Sequence, residues 1–255
     1  MFINNLNPVL LRLGPLEVRY YGIMFALGFV IAYFFLRWWA RQGKVKNFKP
    51  HQVEDYLLYI LIGSVLGSRL VYVIFYNLPF YLSNLSEIVA VWHGGLSFHG
   101  GFLGAIAAAF YYCRKHNIHF WQMADATAIP LAIGLFFGRI ANFINGELYG
   151  RVTSLPWCVK FNAVDGCRHP SQIYEALKNL LIFSVLWKIK DKKHPDGFLM
   201  LTFVMMYSFI RFFIEFVRQP DSQLGVVFAG LTMGQLFCIV MFAIGSYFMY
   251  KIHRK

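Results

Sequence analysis

Long apolar segments alternate with short polar ones along the whole chain. An apolar segment of about 20 residues is long enough to cross a hydrocarbon core of about 30 Å as a helix. Segments of this kind lie at about 20–38, 56–76, 95–113, 121–141, 173–187, 197–217 and 230–250. The pattern therefore predicts an all-α integral membrane protein, a bundle of about seven transmembrane helices.

The composition excludes a water-soluble globular protein. Of the 255 residues, 58% are hydrophobic and only 14% are charged, whereas soluble domains carry about 25% charged residues. The formal net charge of +12 would suggest nucleic-acid binding in a soluble domain. In a membrane protein, basic loops set the orientation and contact anionic lipid headgroups. Membrane lipids, and not nucleic acid, are therefore the expected partners.

Basic residues concentrate in alternate connecting segments, which predicts the orientation of the bundle. Residues 77–94, in one set of segments, carry no lysine or arginine. The other set holds Arg37, Arg41, Lys44, Lys46, Lys49, Arg114, Lys115, Lys188, Lys190, Lys192, Lys193, Lys251, Arg254 and Lys255. By the positive-inside rule, the N-terminus is expected outside and the C-terminus in the cytoplasm. The segment before the first span lacks a small-residue cleavage site, so this span is expected to be retained.

With this orientation, the segments 77–94, 145–172 and 218–229 face outward. Only the segment at about 145–172 is long enough to form a small extracytoplasmic head. It is rich in Gly, Asn and Pro, a composition more typical of compact irregular structure than of a separate domain. We therefore expect residues 1–255 to form a single transmembrane domain.

Glycines at four-residue spacing recur in three of the predicted spans. Such spacing is typical of helices that pack closely, because small residues let two backbones approach. The pairs are Gly63 with Gly67, Gly100 with Gly104, and Gly134 with Gly138.

The four cysteines are too few and too scattered for a disulfide framework, and none has the CxxC spacing of a metal site. Cys158 and Cys167 share the predicted outer loop, where they can be bridged if that side of the membrane is oxidising. The sequence leaves this bridge open.

Polar residues form a stripe on the sixth predicted span. Tyr207, Arg211, Glu215 and Arg218 follow at i, i+4, i+8 and i+11, which places them on one face of a helix. A charge inside a span costs at least about 2.5–3.5 kcal/mol and requires a partner or a function. A structural Arg211–Glu215 pair is one account. The second arginine and the tyrosine favour a polar cavity that accepts an anion.

A second polar cluster ends the fourth predicted span. Arg139 and Asn142 are three residues apart and share a helix face, while Asn145 and Gly146 suit a left-handed helix end. This cluster and the polar stripe both lie toward the outer ends of their spans. Their arginines are therefore expected to converge below the outer surface.

Two histidines precede the third span, next to pairs of glycines. His99 starts the span beside Gly100 and Gly101, where the backbone can be approached closely, so a functional role is favoured. For His93 a structural role is favoured. No metal is expected, since no His, Asp or Glu set has a metal-ligand spacing.

These residue types indicate chemistry on a phospholipid. An arginine binds phosphate through parallel charge-assisted hydrogen bonds and stays charged when partly buried. An ordinary histidine, with a pKa of about 6.5, takes a proton from a thiol with a pKa of about 8.5. Together they suggest transfer from a phospholipid, although the residues alone leave the broken bond and the acceptor open. A flippase or transporter for anionic lipid would also need the arginines.

At these residues the sequence resembles the bacterial prolipoprotein diacylglyceryl transferases. Residues 138–150 match the family signature G-R-x-[GA]-N-F-[LIVMF]-N-x-E-x-x-G at every specified position. The likeness spans nearly the whole chain, although 151–167 is shorter than in members with a longer outer loop. Further similar segments are Tyr20 to Gly22, Ser97 to Gly101, Arg168 to Gln172, Tyr174 with Glu175, and Arg211 through Glu215 to Arg218–Asp221.

The resemblance implies an enzyme that moves the diacylglyceryl group of phosphatidylglycerol onto the lipobox cysteine thiol of an exported prolipoprotein. The products are a thioether and glycerol phosphate, and no cofactor is expected. The expected partners are phosphatidylglycerol, other membrane lipids and prolipoprotein signal peptides. The expected location is the bacterial cytoplasmic (inner) membrane, with the active site toward the outer leaflet. A flippase would not account for the 138–150 signature.

The resemblance also implies roles for individual residues. Arg139 and Arg211 would bind the phosphate and stabilise the leaving group, and His99 would be the base. His169, a tyrosine or the phosphate itself stay open as alternative bases. The remaining candidates, as substrate contacts or their orienting partners, are Tyr21, Asn142, Glu147, Gly150, Tyr207, Glu215 and Arg218.

Overall fold

The computed structural model of this protein describes residues 2–14, 16–220, 226–228 and 230–254. Met1, Pro15, Lys255 and half of the predicted outer loop at 218–229, including Asp221, lie outside the described residues. The described part is mostly helical. Its α-helices are α1 Tyr20–Arg41, α2 Val53–Tyr76, α3 Leu78–Ser83, α4 Phe98–Lys115, α5 Phe120–Asn145, α6 Ser171–Ile189, α7 Phe198–Ile214 and α8 Met233–His253.

The membrane character predicted from the sequence is confirmed. Four helical segments of the described chain are long and apolar enough to cross a membrane: Tyr20–Arg41, Pro50–Tyr76, Phe120–Asn145 and Met233–His253. Helix α7 is apolar but shorter, and α6 carries charged residues in its first half. Each predicted span falls on one of the α-helices, while the count of seven membrane crossings stays a prediction.

The expectation of an all-α chain is wrong in part, since short strands are present. The strands are β1 Phe2–Asn4, β2 Val9–Leu13, β3 Leu16–Arg19, β4 Val159–Phe161, β5 Cys167–Arg168, β6 Val226–Phe228 and β7 Leu231–Thr232. Strand β4 pairs with β1 in parallel and with β5 in antiparallel orientation, while β2–β3 and β6–β7 are antiparallel pairs. Strands this short carry too little alternation to be recognised in a sequence.

A disulfide joins Cys158 to Cys167, with their Cα atoms 5.5 Å apart. It closes the connection from β4 to β5 within the predicted head. The bridge that the sequence leaves open is therefore formed in the structure, and the head contains a small sheet as well as irregular backbone.

The chain divides into two compact units. The small unit comprises residues 33–123, and the large unit comprises residues 1–32 and 124–255. Helices α1 and α5 each contribute residues to both units.

In the small unit, glycines let α2 and α4 touch along their backbones. A Cβ on Gly104 would lie 2.1 Å from the carbonyl oxygen of Gly63, and a Cβ on Gly67 would lie 2.5 Å from that of Gly100. The predicted packing role of these two glycine pairs is confirmed.

In the large unit, the third glycine pair packs differently from the expectation. A Cβ on Gly28 would lie 3.4 Å from the Cα of Gly134, so α1 approaches α5 at that position. A Cβ on Gly138 meets no described heavy atom within 4 Å. The packing interpretation therefore holds for Gly134 and is wrong for Gly138.

Asp125, buried on α5, fixes the start of α7. Its carboxylate oxygens accept hydrogen bonds from the backbone N–H groups of Gly197 (2.7 Å) and Met200 (2.8 Å). The first N–H groups of a helix have no partner inside the helix, so this carboxylate satisfies them. The contact sets α7, which carries Arg211, against α5, which carries Arg139.

Candidate active site

A cluster of buried charged side chains lies in the large unit, contributed by three helices. We call Arg139 of α5, Glu175 and Lys178 of α6, and Arg211 of α7 the charge cluster. Glu175 is only 1% exposed. Its Oε1 accepts a hydrogen bond from Arg211 Nη1 (2.9 Å), and its Oε2 accepts one from Lys178 Nζ (2.8 Å). Arg139 Nε lies 3.6 Å from the same Oε2.

This arrangement explains how a carboxylate is tolerated in an apolar interior. A buried charge is costly unless it is paired and hydrogen-bonded, and here one carboxylate has cations on both of its oxygens. The sequence predicts that Arg139 and Arg211 converge. The structure brings them together through Glu175.

Arg211 also contacts a second carboxylate. Its Nη2 lies 2.5 Å from Glu215 Oε2, and the hydroxyl of Thr232 donates to Glu215 Oε1 (3.1 Å). A Cβ on Gly234 would lie 2.8 Å from that same oxygen. The Arg211–Glu215 pair considered from the sequence is therefore formed, and α8 encloses its carboxylate closely.

The end of α7 differs from the predicted span at 197–217. The helix ends at Ile214, and Glu215 is its C-cap residue. Arg218 follows in non-helical backbone and forms an isolated β-bridge with Gly150. The guanidinium of Arg218 has no hydrogen bond or ion pair to any side chain in the described ranges, although it lies near Arg139 and Arg211.

Tyr207 lies one helical turn before Arg211, as the stripe predicts. Its ring faces Lys178, whose Nζ is 3.5 Å from the ring centroid. The tyrosine therefore borders the charge cluster through a cation–π contact.

The signature segment forms a tight turn at the end of α5. Gly146 and Leu148 have φ angles of 68° and 59°, which confirms the predicted left-handed helix end. The side-chain amides of Asn142 and Asn145 both donate to Glu147 Oε1, at 2.8 and 3.2 Å. Glu147 therefore holds the side chain of Asn142, and the functional role that the resemblance implies for this pair stays a prediction.

Gly150 joins this turn to its neighbours by backbone contacts. Its N–H donates to the carbonyl of His169 (2.9 Å), and a Cβ there would lie 2.6 Å from both His169 Cβ and the Val217 carbonyl oxygen. On α6, the Gln172 side chain donates to the carbonyl of Glu147 (2.7 Å). The signature turn, the start of α6 and the segment after α7 are thus held against one another.

His169 lies at this junction, just before α6. Its Nδ1 is 3.3 Å from the hydroxyl of Tyr174, which also accepts a hydrogen bond from Trp157 Nε1 (2.9 Å). Partial burial lowers the pKa of His169. The imidazole is therefore neutral at pH 7, the form that accepts a proton.

His99 belongs to the small unit, in the first turn of α4. Ser97 is the N-cap residue of this helix, and its hydroxyl accepts a hydrogen bond from the Gly100 N–H (3.4 Å). His93 Nδ1 lies 2.8 Å from Glu87 Oε2, and its structural interpretation stays a prediction. Tyr21 lies in the first turn of α1 and is exposed. The functional roles of His99 and Tyr21 stay predictions.

The sequence analysis missed the roles of Glu175, Lys178 and Arg69. The signal was present, because each lies inside a predicted apolar span, where a charge requires a partner or a function. Arg69 is buried on α2 and donates to the backbone carbonyls of Glu87, Ile88, Ala90, Gly94 and Gly95. It therefore organises the segment that leads to His99.

The geometry suits binding of an anion. The side chains of Arg139 and Arg211 keep 18% and 12% of their surface exposed, and Arg218 adds a third guanidinium nearby. Among the described residues, no group of three or more His, Cys, Asp or Glu could hold a metal ion. Guanidinium groups in this setting bind phosphate through charge-assisted hydrogen bonds.

Comparisons with known proteins agree with one another. The sequence model of the family described as prolipoprotein diacylglyceryl transferase matches residues 8–251. A phosphatidylglycerol–prolipoprotein diacylglyceryl transferase of Geobacter sulfurreducens is 44% identical over 98% of this chain and 97% of its own length. A protein of the same name from Bordetella avium is 42% identical over 92% of this chain and 90% of its own length. Another, from Francisella tularensis, is 40% identical over 98% of this chain and 95% of its own length.

Proposed function

Because the chain belongs to the prolipoprotein diacylglyceryl transferase family, we propose how its residues carry out the transfer from phosphatidylglycerol to a prolipoprotein. One observation carries the proposal. Arg139 and Arg211, from two different helices, both lie against one buried carboxylate, that of Glu175. This pair of guanidinium groups binds the phosphate of phosphatidylglycerol.

In the proposed reaction, the thiol sulfur of the lipobox cysteine attacks the glyceryl carbon that bears the phosphate ester. A C–S bond forms and the C–O bond to the phosphate breaks, so the electron pair leaves on the oxygen of glycerol phosphate. The thiol proton passes to a base. Arg139 and Arg211 stabilise the negative charge that develops on the leaving group, where fixed donors act most strongly.

The remaining candidates support these two arginines. Glu175 and Glu215 orient Arg211 through direct contacts. Asn142, held by Glu147, and Arg218 contact the headgroup or the acceptor. Tyr21, Gly150 and Tyr207 are further candidate contacts to the substrates.

His99 is the proposed base, with His169 as the first alternative. The neutral state of His169 at pH 7, which follows from its lowered pKa, supports its candidacy. A tyrosine or the substrate phosphate is the further alternative. The enzyme's own cysteines take no part, because the nucleophile belongs to the prolipoprotein.

We further propose a single seven-span domain over residues 1–255 in the bacterial inner membrane, with the N-terminus outside and the site toward the outer leaflet. The alternation of basic loop residues supports this orientation. So does the disulfide between Cys158 and Cys167, since disulfides persist on the oxidising side of a membrane. Both substrates then enter sideways from the lipid.

The test uses the purified protein in detergent with phosphatidylglycerol and a lipobox peptide that contains one cysteine. Mass spectrometry is expected to show a diacylglyceryl mass increase on the peptide, together with released glycerol phosphate. Arg139→Ala and Arg211→Ala are expected to abolish both signals. Arg114→Ala, at an exposed position at the end of α4, is the matched control.

The variants also separate the alternatives. Full activity of His99→Ala would exclude His99 as the base, and His169→Ala would be measured next. Folded wild-type protein that yields no adduct would contradict the transferase assignment. Movement of labelled phosphatidylglycerol across vesicles would then favour the flippase alternative.

A further inference from the structure

Lys178 is a buried lysine to which the proposed mechanism gives no role. Its side chain is 0% exposed, and it lies one helical turn after Glu175 on α6. Its Nζ has two close neighbours, Glu175 Oε2 at 2.8 Å and the ring centroid of Tyr207 at 3.5 Å. An ammonium group is costly to bury, so its presence beside the two proposed phosphate-binding arginines requires an explanation.

The distances show what Lys178 does to Arg139. Oε2 of Glu175 accepts from Lys178 at 2.8 Å, while Arg139 Nε remains 3.6 Å from the same oxygen. That separation is longer than the limit of about 3.2 Å for an N–H···O hydrogen bond. Arg211 occupies Oε1. Lys178 therefore takes the position at which Arg139 would otherwise form a close ion pair.

Lys178 also sets the local balance of charge. Lys178, Arg139 and Arg211 lie against the carboxylates of Glu175 and Glu215, and Arg218 lies nearby, so the region holds four cations and two anions. A phosphate monoester such as glycerol phosphate carries a charge of about −1.5 to −2 at pH 7. The phosphodiester of phosphatidylglycerol carries a single negative charge. A surplus of two positive charges therefore matches the leaving group better than the substrate, as catalysis requires.

We propose that Lys178 is a positioning residue that prevents Glu175 from closing onto Arg139, and so keeps the Arg139 guanidinium and a surplus of positive charge available to the phosphate. This inference rests on the proposed phosphate-binding role of Arg139 and Arg211.

Lys178→Met tests the inference, because methionine is of similar length but carries no charge. Arg139 is then expected to close onto Glu175. We expect the KM for phosphatidylglycerol and the Kd for glycerol phosphate to rise about tenfold, as for loss of one charge-assisted contact. The KM for the acceptor peptide is expected to stay unchanged. Lys188→Met, exposed in the last turn of the same helix, is the matched control.

A double variant separates positioning from packing. In Glu175→Gln/Lys178→Met the carboxylate is removed together with the lysine, so Arg139 has no close acidic partner and the surplus of two charges is restored. The Kd for glycerol phosphate is expected to return to within about threefold of the wild-type value, which has the same surplus of charge. Such a recovery is the non-additivity of residues that act through each other. Thermal unfolding in detergent shows that each variant is folded.

Two results would overturn the inference. One is an unchanged Kd for glycerol phosphate in folded Lys178→Met protein. The other is a double variant that binds no better than Lys178→Met, since lost packing would persist in both. Wild-type protein that binds glycerol phosphate but forms no adduct would contradict the proposed function, while the comparison of binding constants would still decide the role of Lys178.

Discussion

Arg211 is the residue on which the two carboxylates of the site converge. Its Nη1 donates to Glu175 and its Nη2 lies against Glu215, at 2.9 and 2.5 Å. A guanidinium can do this because its N–H groups form a rigid planar fork, whereas a lysine presents one compact ammonium. We therefore expect the site to require the identity of this side chain and not only its charge.

Arg211→Lys is expected to keep the charge and lose the activity. The ammonium can reach one carboxylate but not both, and the other carboxylate is left buried beside the phosphate. We expect kcat/KM in the peptide lipidation assay to fall about 10²- to 10³-fold, the range for losing one transition-state donor. Arg114→Lys at the exposed end of α4 controls for the substitution itself. A rate within about threefold of wild type would mean that charge alone suffices.

At the scale of helices, the contact between α2 and α4 depends on glycines at which any side chain would meet the backbone of the other helix. At Gly104 an added Cβ would lie 2.1 Å from a backbone oxygen of α2, and a backbone atom cannot move aside as a flexible side chain can. The two helices would have to separate. Because His99 lies in the first turn of α4, this contact also fixes the proposed base within the small unit.

Gly104→Ala is therefore expected to destabilise the protein by about 1–3 kcal/mol, the cost of overpacking a close contact. Gly101→Ala is the matched control on the same helix, since its Cβ would lie 3.4 Å from the Ser64 carbonyl oxygen. The measurement is the thermal unfolding midpoint in detergent. Equal midpoints for the two variants would show that α4 shifts at no cost.

The segment between α3 and α4 depends on one arginine. Arg69→Met would remove the donor that five carbonyls of this segment share. The carbonyls of Glu87 and Ala90 also accept from backbone N–H groups, and each carbonyl left buried without a donor costs about 1–3 kcal/mol. We expect limited proteolysis and amide exchange to become faster at 84–97, with lower activity because His99 follows directly. Arg114→Met is the control. Unchanged protection at 84–97 would show that the segment is ordered by other contacts.

The sequence predicts elements better than it predicts their ends. The apolar segments fall on helices because length and hydropathy are local properties of the chain. The end of α7 is not local, since Glu215 leaves the helix where Thr232 donates to it. The pairing of β1 with β4 joins residues far apart in sequence, so no local sequence pattern predicts it.

At the scale of the whole molecule, the sequence identifies the arginines of the site but not what links them. Arg139 and Arg211 follow from their positions in apolar spans. Glu175 is also a charged residue in a predicted apolar span, but its pairing with both arginines is recognised only when three helices are brought together. A buried ion network is a property of tertiary structure, because each charge is tolerated only through partners on other elements.

The orientation of the molecule gives the last prediction. If the head is outside, Cys158 and Cys167 are bridged in the cell and unreactive until a reductant is added. After reduction, a membrane-impermeant thiol reagent is then expected to label Cys167, the less buried partner of the bridge, in spheroplasts, while buried Cys113 and Cys238 stay unlabelled. Lys192→Cys, in a predicted cytoplasmic loop, is expected to react only after permeabilisation.

The opposite pattern would place the head in the reducing cytoplasm. The disulfide would not persist there, and the fourteen basic residues of the alternate loops would lie outside, against the positive-inside rule. An exported prolipoprotein could not then present its cysteine to the charge cluster from the outer leaflet. The labelling pattern therefore tests the membrane orientation and the route of the acceptor together, independently of any measurement of activity.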